Sequence, residues 1–363
     1  MQAPLNLAGL LRHAWCKRAG LCVAFVVLPW MATAQTVTTV PVGAVTVTIA
    51  AGTGASRVAS VVSFPLLDTP LASGSMGGSI TSFTANSLSC SAANWTAGAL
   101  SITATPYLVQ ITSGVAKGYI FLIATGATSP NTATTLTIAS DEAGLVDLTA
   151  IGLITGDSFK IIPCDTLSSI LGTPQTTGVV GGADSTQADI VQVLVGTTYR
   201  QYYYKTGTTN AWTRVGAETL SNDIPIRPDS LVIYNRIGNT PIAFQLTGTV
   251  PSVDRKAIVR NSGLTALSTG WPVNTTLSQL GINNLPNWAT ASNSSAVSSA
   301  DIVQILVGTT YRQYYYNGTS WYRVGAETLS DGVVVAAGSG VIISRRGAST
   351  GAAPIAQALP YSL

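Results

Sequence analysis

The sequence predicts an all-β fold, with a small barrel or sandwich module followed by two copies of a β-meander unit, each preceded by a short helix. Three observations carry this. Apolar residues alternate with Thr, Ser and Gln through much of the chain, the period-two pattern of half-buried strands. Only 9% of the 363 residues are charged, so the exposed faces rest on Thr, Ser, Asn and Gly. Finally, the passage DIVQILVGTTYRQYYYNGTSWYRVGAETLS (301–330) has an earlier copy from Asp189, DIVQVLVGTTYRQYYYKTGTTNAWTRVGAETLS, that differs mainly by a longer loop.

The N-terminus reads as an export signal. Arg12, Lys17 and Arg18 form a positive region, GLCVAFVVLPW (20–30) is an apolar core too short to span a bilayer comfortably, and Ala32-Thr33-Ala34 is a cleavage site before Gln35. A retained anchor fits that length and those flanks poorly, and Leu21 before Cys22 argues against a lipoprotein signal. Three of the 18 basic residues and none of the 15 acidic ones lie in 1–34, which leaves 15 of each in the mature chain. Electrostatic capture of nucleic acid or of an anionic membrane therefore has no basis. The single histidine, His13, leaves with the signal, and with it any Ser-His-Asp or Cys-His catalysis and the commonest zinc ligand. No cofactor motif and no later membrane-spanning apolar run is present, and no cofactor is expected. Cys90 and Cys164 are the cysteines that remain. In an oxidising compartment they are expected to form a disulfide, the alternative being two buried thiols.

Residues 35–75 hold N-terminal strands, with Val45, Val47 and Ile49 alternating with threonine in AVTVTI (44–49). The runs SITSF (79–83), YLVQITSG (107–114), GYIFLIATG (118–126), TTLTIAS (134–140) and DSFKIIP (157–163) place the barrel or sandwich module over 76–164. DTLSSILG (165–172) is a short helix with an Asp165 or Thr166 cap and a Gly172 stop, and NTTLSQLG (274–281) repeats its grammar. The repeat units are thus 165–250 and 274–363, with 251–273 as a connector. Within the meander, DIVQILV, YRQYYY and SWYRVG are strands, and Asn317-Gly318 suggests a type I′ hairpin turn. That turn also accounts for the Asn317-Gly318-Thr319 glycosylation sequon. Further along, LVIYNR (231–236) aligns with VIISRR (341–346), and TPIAFQLTG (240–248) with APIAQALP (353–360).

The segments TVTTVPVGAVTVTI, SFPLL (63–67), ITSGVAKGYIFLIATGATS with TLTI, GDSFKIIPCDTL (156–167), YYYNGTSWYRVG and GSGVIISR together resemble a family of uncharacterised exported proteins. That family is present as expanded sets of paralogues in Verrucomicrobia and related Gram-negative bacteria. The resemblance touches most of 35–363 and implies an exported, β-rich protein. It assigns no catalytic residue, and this chain departs from the pattern by carrying the C-terminal meander twice.

Candidate binding residues lie on one face of the duplicated strand and across its hairpin: Arg200, Tyr202, Tyr204 and Trp212, with Arg312, Tyr314, Tyr316 and Trp321 in the second copy. Aromatics beside hydrogen-bonding groups suit a glycan or a protein partner, and cross-strand aromatic pairs equally suit an ordinary sheet. A carboxylate glycosidase would have to draw on Glu142, Glu218 and Glu327. Glu218 and Glu327 are repeat equivalents, which receive like environments where a glycosidase needs unlike ones, and pairing with Arg214 and Arg323 is the simpler expectation. Asp189 and Asp301 read as turn residues. The expectation is a secreted, cell-surface or periplasmic structural or adhesive protein, not an enzyme, whose partners are itself, other surface proteins or a glycan. An outer-membrane barrel fits less well, because most strands are shorter than spanning strands need to be. The mature chain is expected to start at Gln35 outside the cytoplasm, and mass spectrometry of exported protein checks this by its N-terminal peptide.

Overall fold

Along β1 (Val42–Ile49) the expected alternation holds, with Val45, Val47 and Ile49 buried and Thr46 and Thr48 exposed. The computed structural model describes residues 41–68, 76–127, 130–139, 147–347 and 351–362, so the segment 1–34 expected as a signal and Glu142 lie outside the described residues. The fold is all-β, with a few short helical turns. After β1 and β2 (Val58–Val62) the chain enters a module of its own. Its strands are β3 (Gly77–Ser79), β4 (Ser82–Phe83), β5 (Ser87–Ser89), β6 (Tyr107–Ile111), β7 (Ile120–Leu122), β8 (Thr135–Thr137) and β9 (Ser158–Pro163). They make a sheet of order β3-β9-β6-β7 and another of order β4-β5-β8, which share a core of Ile80, Leu88, Val109, Phe121 and Ile161.

The chain then returns to β2. Helix α1 (Leu167–Leu171) is capped by Thr166, with a capping box closed by Ser169, and buries Leu167, Ile170 and Leu171. After α2 (Pro174–Thr177) come β10 (Ile190–Val195), β11 (Thr198–Lys205), β12 (Ala211–Arg214), β13 (Val232–Arg236) and β14 (Ile242–Thr249). They build the sheet β12-β11-β10-β13-β2, while β14 pairs with β1. The strands of 42–62 are therefore part of the first meander unit, and residues 76–164 are inserted into it.

The second unit has the same order. β15 (Arg255–Arg260), β16 (Ser262–Ser268), β17 (Thr275–Thr276), β18 (Ile302–Val307), β19 (Thr310–Tyr316), β20 (Trp321–Arg323), β21 (Val334–Val335), β22 (Gly340–Arg346) and β23 (Ala352–Gln357) follow in turn. They form the sheet β20-β19-β18-β22-β16 and the pairs β15-β23 and β17-β21. Residues 251–273, expected as a connector, instead supply β15 and β16, the counterparts of β1 and β2. Each five-stranded sheet covers its own core on one face. On their other faces Val61, Leu231 and Ile233 of the first unit meet Ala266 and Ile342 of the second. The contact is reciprocal at its ends: Ser63 N donates to Gly338 O at 2.8 Å and Ser268 N to Asp229 O at 3.1 Å. Gly340 sits against the other unit, for a Cβ there would fall 2.5 Å from Leu231 Cδ2.

Four further expectations are corrected. The segment 274–281 is not a helix; it pairs briefly as β17 and then turns, with Gly281 at φ 65° ending it after one turn. Asn317-Gly318 is not a type I′ turn, because only Gly318 has a positive φ. The loop spans 317–320 and is closed by Asn317 Oδ1, which accepts from the backbone of Thr319 and Ser320 at 2.9 Å each. The alignment of VIISRR to LVIYNR slips by one residue: Ile190 pairs with Asn235 and Ile302 with Ser344, which makes Arg345, not Arg346, the counterpart of Arg236.

The fourth concerns the cysteines, which are free and buried. On β9, Phe159 and Ile161 face the module core that holds Cys90, whereas Ile162 and Cys164 face the opposite way, against Leu67, Leu108 and Ile120. The pleat thus sends the two thiols to different faces of one sheet. Burial, with the nearby Asp165, Asp229 and Asp68 charges, pushes the Cys164 thiol well above its usual range. Both cysteines should resist alkylation in the native protein and both should react once it is denatured without reductant, a count that intact mass reads directly.

Candidate functional site

The expected binding residues occupy equivalent places in the two units, and most of them are core. In β11 the odd and even tyrosines point to opposite faces, yet both faces are covered. Tyr202 and Tyr204 enter the first core with Trp212, and Tyr203 packs with Ala188, Ile190 and Val215. The second unit repeats this with Tyr314 and Trp321 on one side and Tyr315 on the other, Tyr316 being half-buried beside them. Tyr202, Trp212, Tyr314 and Trp321 are each at most 1% exposed. Tyr204 meets Trp212 edge-on at 5.9 Å, and Tyr316 lies tilted against Trp321 at 5.4 Å, the cross-strand pairs that the hairpin register sets directly opposite each other. Arg200 and Arg312 stay half-exposed at the open ends of the same strands.

The glutamates do not pair with Arg214 and Arg323 as expected. Glu218 accepts from Tyr203 Oη at 2.9 Å and Lys205 Nζ at 2.7 Å. Glu327 accepts from Tyr315 Oη and from Ser294 N, the latter at 2.6 Å. Both sit in left-handed backbone, at φ 50° and 52°, where only the peptide N–H reaches back to Arg214 O or Arg323 O. That turn lifts each carboxylate over the tyrosine face, and the hydrogen bonds from Lys205 in one unit and Tyr315 in the other hold both carboxyls below the usual range. Each glutamate holds the hydroxyl of the equivalent tyrosine, and they differ in the second partner, Lys205 for Glu218 and the Ser294 amide for Glu327.

The aspartates read as turn residues form instead the most deeply buried charged groups of each unit. Asp189 is 1% exposed; its Oδ2 accepts from Arg236 Nη1 at 2.9 Å, Tyr234 Oη at 2.8 Å and Val180 N at 2.8 Å, and its Oδ1 from Ile237 N at 2.8 Å. Asp301 accepts from Arg345 Nε at 3.1 Å, Ala289 N at 2.9 Å and Arg346 N at 2.7 Å. A buried carboxylate is tolerable only with such a full set of donors. Sequence reasoning missed these pairs because the arginine is some 45 residues away from its aspartate and the repeat alignment slipped by one residue. The signal was present: each copy of the meander starts with Asp before an apolar strand, and each β13 or β22 ends in Arg.

The two units differ in how they finish this core. In the first, Trp212 Nε1 donates to Gly172 O at 2.9 Å, at the end of α1. In the second, Trp288 stands beside Trp321 with ring centroids 5.7 Å apart, edge-on, and Arg345 Cζ lies 5.7 Å from the Trp288 ring. The ring packing there supplies no acceptor, and the Nε1 groups of Trp288 and Trp321 are buried without a hydrogen-bond partner among the described residues.

Where the inserted module rejoins its host, Asp68 and Asp165 face one another in a small cleft with Ser169 and Gln245. Burial first, and the Asp68 charge second, push Asp165 up to about 6. Among the described residues, no three His, Cys, Asp or Glu side chains gather as metal ligands, and no helix is long and apolar enough to cross a membrane. Compared with protein-family models, curated proteins and solved structures, this chain matches none.

Asp189→Ala and Asp301→Ala should each destabilise the protein by roughly 3–5 kcal/mol, since each strands a buried guanidinium; urea unfolding measures it. For Asp165 the folded pKa is raised, so folding favours its protonated form. The penalty for ionising it is absent below the unfolded value near 4 and reaches its full size above about 6. Asp165→Asn should therefore raise the melting temperature at pH 7.5 and leave it nearly unchanged at pH 3.5, as read by calorimetry across that range.

Proposed function

We propose that this chain is an exported structural or adhesive protein of the bacterial cell surface, in which the meander is present twice to build one rigid body. The observation that carries the reading is that both copies bury most of the aromatic residues of these strands, while Tyr311 stays exposed and Tyr199 half-buried. Tyr202, Trp212, Tyr314 and Trp321 fill the two cores, and the Tyr203 and Tyr315 hydroxyls are taken by Glu218 and Glu327. A strand copied in order to display a ligand surface would keep those rings in solvent, where they contribute to a partner and little to the fold. The low charge and the Thr- and Ser-rich exposed positions support the same reading. So does the export signal read in residues 1–34, which would carry the protein to other surface proteins or further copies of itself as partners.

Tyr202→Ala with Tyr204→Ala should lower the melting temperature sharply, because truncating a buried aromatic costs about 3–5 kcal/mol. Cell-surface attachment or assembly per folded molecule should stay unchanged. A double variant that kept full stability and lost attachment would transfer the role of these strands from packing to binding.

A further inference from the structure

The inserted module and the first meander unit enclose a cleft that the second unit lacks. Leu122 of the insert forms one wall, Val193, Val195 and Arg200 form the second, and Ile224 and Ile226 complete it. The cleft holds about 160 Å³ and is open at its mouth. Its lining is mainly aliphatic, and two arginines reach it. Arg227 is already neutralised by both carboxylate oxygens of Asp229. Arg200 has no carboxylate partner among the described residues and sits opposite Val193 in the ladder, at the rim of the apolar core. An aliphatic cleft with one uncompensated guanidinium at its edge complements a molecule with an aliphatic body and one anionic end, and the guanidinium fork suits a carboxylate in particular.

We propose that this cleft binds an alkyl carboxylate of the fatty-acid class, its chain against Leu122, Val193 and Ile226 and its carboxylate on Arg200. The second unit supplies an internal control. Arg312 holds the equivalent place on β19, opposite Ile305 as Arg200 is opposite Val193. Nothing equivalent to residues 76–164 lies between β16 and β17, so no Leu122 closes a cleft over it.

Isothermal titration calorimetry with dodecanoate, below its micellar concentration, tests the assignment on the mature chain. One saturable site per molecule is expected. Arg200→Gln should weaken it by about ten-fold or more, the loss expected for one charge-assisted contact, while Arg312→Gln should change it by less than about two-fold. Dodecanol, which keeps the chain and lacks the charge, should bind at least about ten-fold more weakly. Leu122→Trp, which fills the cleft from the insert without touching Arg200, should abolish the site, with thermal melts confirming that each variant is folded. The proposal is overturned if dodecanoate shows no saturable binding, if Arg312→Gln weakens it as much as Arg200→Gln, or if dodecanol binds as tightly. None of those outcomes bears on the structural role proposed above, which rests on the tyrosine strands.

Discussion

Each meander unit is organised around one buried ion pair. Asp189 ends the approach to β10 and Arg236 ends β13, so their union ties the first residue of the duplicated text to the last residue of the strand that closes the sheet core. In the second unit Asp301 pairs with Arg345, the penultimate residue of β22. A carboxylate in such surroundings contributes little net stability compared with an apolar core of equal volume, yet any other register strands it. Slipping β13 by one residue would bring Asn235 to the aspartate and leave Arg236 outside. The pairs therefore work mainly as register devices, in sheets whose uniform Val/Ile/Tyr content would otherwise accept several alignments.

Once those registers are set, the tyrosines have fixed destinations. Because β11 and β19 are covered on both faces over Tyr202–Tyr204 and Tyr314–Tyr315, alternation there separates two buried sets instead of a buried and a solvated one. That explains why a strand so rich in hydroxyl groups can be interior. The outward-pointing pair, Tyr203 and Tyr315, meets a glutamate lifted into place by a left-handed turn, and part of the strain of that turn is offset by the hydrogen bond it makes possible. The two units treat the tryptophan donor differently: a helix-end carbonyl serves Trp212, whereas Trp321 packs on a second tryptophan and its Nε1 has no acceptor among the described residues.

The fold class was legible in the sequence because period-two alternation is a local property, and β1, β6, β9, β10, β11, β18 and β19 fall within a few residues of where Val/Ile/Thr runs place them. Long-range order was not legible. Nothing local says that RKAIVR and SGLTALS are the counterparts of VTVTI and VASVV, since the resemblance lies in partner strands and not in residue identity; the stretch therefore read as a connector. The tyrosine strand's residues were found, and their pattern could not decide between display and burial, because burial on the second face depends on Ala188, Ala291 and Val215 arriving from elsewhere. The cysteines were misjudged for a related reason: sequence separation brought them to one module, and a single step of the pleat on β9 put them on opposite sides of a sheet.

The reciprocal contact between the two five-stranded sheets has the form of a two-fold dimer interface, with Ser63 reaching Gly338 and Ser268 reaching Asp229. The short link between β14 and β15 turns what would be association of two molecules into closure within one. A flexible tether of that length holds its ends at an effective concentration in the millimolar range, so even a weakly self-attracting face stays shut at any dilution of the chain. Freed from that concern, the two halves have been able to diverge: one admits a whole inserted module and a helix, the other a second tryptophan, with neither having to preserve symmetry for the sake of assembly.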